Sequence, residues 1–359
     1  MNKKKIFAVV LVLALGLFLV FENLNSRKVE KETPSTGTEI GTATPTYPNG
    51  QNVTLVVPWA AGGVTDIAAR GFAQCLSKEI GTAVTVVNTP GASGYVGTQQ
   101  ALENKPDGLT LIFSAETPAT FRVMGTGEIS YEKDLSVIQL MVSDAKVVVV
   151  DKTSPYNTME ELVAGIRENP GKITMSYTGP GASGHIQGLL YKLAGLEIND
   201  VPLGSGSAAL TALFSGTVDF TNANLATVIE HIKSGQVRAL AVFSDKGIEA
   251  EYGSIPPLTA AMPELSEYMP FYFPNCIAVD KDVPQETKLE ILAACQRAVA
   301  SDEWKTFAQQ NGYLSLTDIT MDRADAYWQE WQSIVSYLLY DNKATTINPE
   351  DLGIKRTEK

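Results

Sequence analysis

The pentapeptide Pro-Gly-Ala-Ser-Gly occurs twice in this chain, at residues 90–94 and 180–184, and each copy stands between a short apolar run and a helix-like segment. The same strand-to-helix joint used twice points to two similar α/β units. The flanking pattern agrees. Residues 54–58 read as a strand, Ala60-Ala61-Gly62-Gly63 as a glycine-rich turn and 66–80 as a helix. A strand over 83–87, a helix over 95–103 and a strand over 109–114 follow. The pattern returns with strands at 146–150 and 173–177, helices at 159–168 and 185–193, and a short strand at 201–203. Gly204-Ser205-Gly206-Ser207 then opens a helix over 208–215, before strands at 218–221 and 239–243. An apolar segment at 275–279 and helices at 284–300 and 321–339 complete the chain, and this last part is expected to pack back on the first unit. Trp328, Trp331 and Tyr337 read as packing residues.

A chain of 359 residues suits two domains of ordinary size. Its formal net charge of -12 excludes a nucleic-acid binder, which needs clustered Lys and Arg. The same charge repels anions at long range, so an anionic ligand would have to be held by local donors. Cys75, Cys276 and Cys295 form no C-x-x-C pair, and with two histidines there is neither a metal site nor a cofactor signature. A Cys276–Cys295 disulfide stays open at this stage.

Lys3, Lys4 and Lys5 precede an apolar run over 6–21, the layout of an export signal or a single membrane tether. The polar stretch to residue 50 reads as a flexible stalk. The expected division is therefore a signal or anchor over 1–25, a linker over 26–50, a first lobe from 51–150 plus 268–359, and a second lobe over 151–267. The hinges are expected near Val150-Asp151 and Tyr268-Pro270.

The strand-to-helix joints carry specific chemistry. The first N–H groups of a helix have no internal partner, and the helix dipole places partial positive charge there. Glycine permits close backbone approach, and Ser or Thr adds a hydroxyl donor. Such a joint holds an anion without a cationic side chain. Enzyme readings fare worse: neither serine loop is Gly-x-Ser-x-Gly, and no Gly-Lys-Ser/Thr follows any glycine turn. His231 lies in a helix-like stretch, His185 either meets ligand or serves the helix end, and Asp66 either caps its helix or meets ligand.

The run from Val57 to Asp66, with Ala69-Arg70 after it, resembles the opening signature of the tripartite tricarboxylate transporter substrate-binding receptors, the Bug-type proteins. Asn88 to Gly94, Pro106 to Leu111, Gly179 to His185 and Gly204 to Asp219 also resemble that family, in order, over roughly residues 48–316. The pattern departs at Pro202 or Leu203, where Tyr is usual, and at Ala60 and Ala61. The resemblance implies an α/β type II periplasmic-binding-protein fold, two lobes joined by a hinge, that binds carboxylates largely through backbone amides and ordered waters. It implies a ligand site from Ala61, Gly62, Gly63, Thr65 and Asp66, from Ala92 and Ser93, and from Ser114, Ala115 and Glu116. The second lobe would add Gly181, Ala182, Ser183 and His185, then Gly204, Ser205, Gly206 and Ser207, and Asn222. The expected protein is an exported, non-catalytic, monomeric receptor that captures a small organic anion and delivers it to the membrane components of a tripartite tricarboxylate-type transporter. An extracytoplasmic sensor is the alternative, and a hydrolase using Ser93 or Ser183 a remoter one.

Overall fold

The computed structural model describes residues 47–269 and 272–356; the expected signal or tether, and the stalk up to residue 46, lie outside the described residues. The chain is built in from Tyr47, whose buried ring joins the core and whose hydroxyl donates to the Gly108 carbonyl at 2.9 Å. The segment 47–50, expected within the stalk, is therefore docked, because one aromatic ring offsets the ordering cost that polar neighbours cannot.

The first lobe opens with β1 (Val53–Val57), α1 (Val64–Ile80), β2 (Val84–Asn88), α2 (Tyr95–Leu102), β3 (Thr110–Ser114) and β4 (Leu135–Ser143). The chain then crosses to a second sheet through β5 (Lys146–Asp151), α3 (Met159–Glu168), β6 (Thr174–Tyr177), α4 (Ser183–Leu193) and β7 (Asn199–Pro202). It continues with α5 (Gly206–Phe214), β8 (Phe220–Asn224), α6 (Leu225–Lys233), β9 (Val237–Val242), a hairpin of β10 (Ile248–Ala250) and β11 (Gly253–Ile255), and α7 (Leu258–Ala261). The return adds β12 (Pro274–Asp280), α8 (Gln285–Ala300), α9 (Asp302–Gln310), β13 (Leu314–Ser315) and α10 (Asp322–Asp341).

The first sheet runs β13-β4-β12-β3-β1-β2 and the second β7-β6-β8-β5-β9. In each, three parallel strands lie in the order second, first, third: β1 pairs in parallel with β2 and β3, and β6 with β7 and β8. An antiparallel strand from elsewhere then borders the third strand, β12 in the first sheet and β5 in the second. The crossover lies at Asp144 and Ala145, earlier than the expected Val150-Asp151, because the whole of β5 is paired with β8 and β9. The return falls between Met269, which packs in the second lobe, and Phe273, which packs in the first.

Strand alternation sorts the cores. Leu55, Val57, Leu111 and Phe113 face α1 and α8 on one side of the first sheet, while Val56, Ile112, Cys276 and Ala278 face α10 on the other. Val148 and Val150 meet α3 and α4, whereas Val147 and Val149 meet α5 and α6. All three cysteines are free and buried. Cys276 and Cys295 sit in clusters on opposite faces of the first sheet, which settles the open disulfide against pairing. Trp328, Trp331 and Tyr337 are buried in α10, as expected of packing residues.

Candidate functional site

Between the two sheets lies a cavity of about 90 Å³, lined from both lobes. By a similar measure one water needs roughly 10–15 Å³, so the space suits a small solute. Its electrostatics follow from four helices, α1, α4, α5 and α6, whose N-terminal turns line it or are capped by residues that do.

The α1 end is open. Gly62 has φ +85° and Gly63 caps the helix without a side-chain hydrogen bond, so the first-turn N–H groups around Val64 and Thr65 stay available beside the cavity. Asp66 is buried behind this turn: it accepts from the Gly62 amide at 2.9 Å, from Asn88 at 2.9 Å and from Arg70 at 3.1 Å. Burial would raise its carboxyl, but Arg70, the Gly62 amide and Asn88 together hold it below the usual range. These bonds tie Asp66 to the Gly62 turn ahead of the helix and to Arg70 and Asn88.

The other three ends carry the chain's own acceptors. Glu116, from the first lobe, crosses to α4 and accepts from the Ser183 amide at 2.7 Å. Ser205 caps α5 by accepting from the Ala208 amide at 3.1 Å. Asp144, in the crossover, accepts from the Ala226 amide at the start of α6 at 3.2 Å. Beside these, Lys146 donates to Asn224 and lies 5.8 Å from the Phe273 ring centroid. Burial depresses its ammonium pKa, while Glu116 and Asp144 pull it back up.

The two identical pentapeptides are not equivalent in the fold. The first follows β2, the second of the three parallel strands in its sheet, and the other follows β6, the first of the three in its own. At 91–93 the backbone runs through Gly91 at φ +145°, Ala92 at +46° and Ser93 at +54°. At 181–182 it runs from Gly181 at φ +75° into the extended cap Ala182. The true counterpart of residues 181–185 is 62–66, which repeats those angles at Gly62 and Gly63. The likeness extends to side chains, since the Gly181 amide donates to His185 Nδ1 at 3.0 Å as Gly62 donates to Asp66. His185, stacked on Tyr177 at 5.4 Å, is thus held as a turn-shaping acceptor with its proton on Nε2, and burial depresses its pKa. Both pentapeptides converge on the lobe junction: a Cβ at Gly179 would stand 2.5 Å from Ser93 Oγ, and Thr120 donates to the Gly181 carbonyl at 3.1 Å.

Of the expected site residues, Gly63, Thr65, Ala115, Glu116, Ser183, Ser205, Gly206 and Asn222 line the cavity. Ala61, Gly62 and Gly204 lie on exposed turns, Ser207 is exposed in the first turn of α5, Ala92 is exposed, and Ser93 is at the junction beside Gly179. Ser114 is fully buried beneath Tyr131, and Gly181, Ala182, Asp66 and His185 form the supporting turns. Neither Ser93 nor Ser183 is hydrogen-bonded to an imidazole among the described residues. The sequence reading missed Asp144, Lys146, Asn224, Phe273 and Asn275. A charged Asp-Ala-Lys at the mouth of an all-valine strand was the available signal for the first two.

Burial pushes the Asp144 carboxyl up to about 7, against the pull of Lys146 and the Ala226 and Ala145 amides. A carboxyl raised in the folded state favours folding below its unfolded pKa, and that contribution fades as pH climbs through the folded value. Asp144→Asn should therefore raise the melting point relative to wild type progressively between pH 4 and 8, by on the order of 1–3 kcal/mol of stability at the alkaline end. The groups that bear on this charge are Lys146, Tyr252 and Tyr313. A difference between the two proteins that stays flat with pH contradicts the assignment.

The family model described as "Tripartite tricarboxylate transporter family receptor" matches residues 68–322, well over half of the chain. Protein BugT of Bordetella pertussis is 30% identical over 203 residues, which are 55% of this chain and 62% of that protein. The chain thus spans a little over three fifths of the length of the first curated relatives it matches. Among solved structures, the periplasmic binding protein BugD superposes with a TM-score of 0.74 at 24% identity, covering 82% of this chain and 98% of the other. MatC from Rhodopseudomonas palustris with bound malate gives 0.71 at 21%, covering 80% and 98%. These likenesses establish the two-lobed binding-protein fold.

Proposed function

Because this chain belongs to the tripartite tricarboxylate transporter receptor family, we propose that it is an extracytoplasmic receptor that captures a small carboxylate between its lobes and presents it to a membrane transporter. The observation that carries the reading is the open N-terminus of α1 beside Lys146 in a cavity shared by both sheets. That pairing supplies oriented N–H donors and one positive charge, which answers the repulsion expected from the acidic net charge. A malate-bound structure among the likenesses supports the ligand class. The lobes would close about the two crossovers, near residues 144–145 and 269–273, as a hinge. Export, tethering through the N-terminal segment and action as a monomer belong to the same proposal.

A thermal-shift screen with C3 to C6 mono-, di- and tricarboxylates tests it. A ligand that binds only the native state adds about 2.7 kcal/mol at a hundredfold excess over Kd. At least one carboxylate should shift the melting point, and Lys146→Met should weaken its binding roughly tenfold to hundredfold, the worth of a charged hydrogen bond. The absence of any shift across the panel, with neutral solutes binding instead, would sink the reading.

A further inference from the structure

Given the receptor reading, on which this rests, we propose that capture of a carboxylate is coupled to uptake of a proton, with Asp144 as the group that takes it. The charge built into the cavity walls sets the requirement. Glu116, just past the end of β3, and Asp144, in the crossover, both line the cavity and are 7% and 9% exposed. Lys146 is the one cation among the lining residues. The walls thus hold one more carboxyl group than ammonium before any solute enters. A captured carboxylate adds another negative charge within about 90 Å³. Like charges at short range in a low dielectric are penalised, and a titratable neighbour relieves the penalty by binding a proton.

Asp144 is placed to be that neighbour. The crossover fixes its carboxyl against the start of α6, where it accepts from the Ala226 amide at 3.2 Å. The charged and titratable groups around it come from separate elements. They are Lys146 on β5, which also interacts with Glu116, Tyr252 in the turn of the β10–β11 hairpin, and Tyr313 just ahead of β13. Lys146 acts on Asp144 through space, and its ammonium donates to Asn224. Burial holds the Asp144 carboxyl at about 7 against these pulls, so near neutral pH a modest change in local field moves its proton. The solute need not touch Asp144, because the coupling is electrostatic. An anion raises the Asp144 pKa in the bound state. Affinity is then greatest where the free protein already carries the proton, and it falls as pH climbs from the free value to the bound one. A rise of one to two units means uptake of about half a proton or more at pH 7.5. It also means a roughly fivefold to twentyfold loss of affinity between pH 7 and 9.

Isothermal titration with propionate, succinate, adipate and tricarballylate tests this in two ways. PIPES and Tris differ in ionisation enthalpy, so the difference in heat between them at pH 7.5 counts the protons taken up. Between pH 7 and 9 all four probes stay ionised, so a change in affinity belongs to the protein. Wild type should take up about half a proton or more per probe bound and lose affinity as stated. In Asp144→Asn the uptake should vanish and affinity should stay within about twofold across the range. At pH 9 the variant should bind about fivefold or more tightly than wild type, because its neutral amide mimics the protonated carboxyl. The wild-type proton count stands even if the variant does not fold. Binding without proton uptake and with a flat pH profile overturns the coupling and leaves the carboxylate receptor intact. Uptake that survives Asp144→Asn overturns the role of Asp144. Binding by none of the four probes overturns the receptor reading and the coupling with it.

Discussion

Trp328→Ala should cost about 3–5 kcal/mol of stability, the range for removing a large aromatic from a packed core. Trp328 is 1% exposed and stacks on Tyr131 at 4.8 Å, with Tyr327 and Trp331 against its edges at 5.5 and 5.6 Å. It anchors α10 to β4 and β12, and the same cluster takes in Ile186 and Leu189 of α4 from the other lobe. Denaturant unfolding followed by far-ultraviolet circular dichroism measures the loss. A cost below about 1 kcal/mol would mean that α10 is a surface strap, not part of the core under the first sheet.

Gly97→Ala is the second large effect, expected to destabilise by about 2–4 kcal/mol although alanine is the better helix former by about 1 kcal/mol. The new Cβ would stand 2.4 Å from the Thr89 carbonyl and 2.8 Å from Pro58 Cα. Both are backbone atoms of the turns that follow β1 and β2, so neither can swing aside. Sterics therefore outweigh propensity. Gly206→Ala is the control, since nothing lies within 4 Å of its added methyl, and it should change stability by no more than about 0.5 kcal/mol. Equal melting points for the two variants would contradict the close approach of α2 to the strand ends.

The parallel parts of both sheets were legible because each element is bounded by its own turn chemistry. Residues 159–168 were read as a helix and form α3, with Thr158 capping and accepting from the Glu161 amide. Gly81 ends α1 at φ +69°. What was missed lacks such punctuation. The strand β4 is buried over nearly its whole length and pairs with β12, more than a hundred residues later in the chain, so its partner is invisible locally. The helix α9 follows α8 after a single serine and was left without an assignment in the sequence reading, which ended the preceding helix at residue 300. The site was half legible for a related reason. Glycine and serine at a helix start announce a donor, so Gly63, Ser183 and Ser205 were readable. Asp144 and Lys146 gain their meaning only when the crossover brings β5 against β8 and the start of α6. The repeated pentapeptide pointed correctly to two lobes, yet its copies fold differently, because the strand each follows holds a different place in its sheet.

Amide hydrogen exchange, with and without the tightest-binding carboxylate, tests most directly whether the anion sits between the lobes. The account predicts slowed exchange at residues 63–65 of the first lobe together with 183–184 and 205–206 of the second. Protection confined to one lobe, or placed outside these turns, would contradict it.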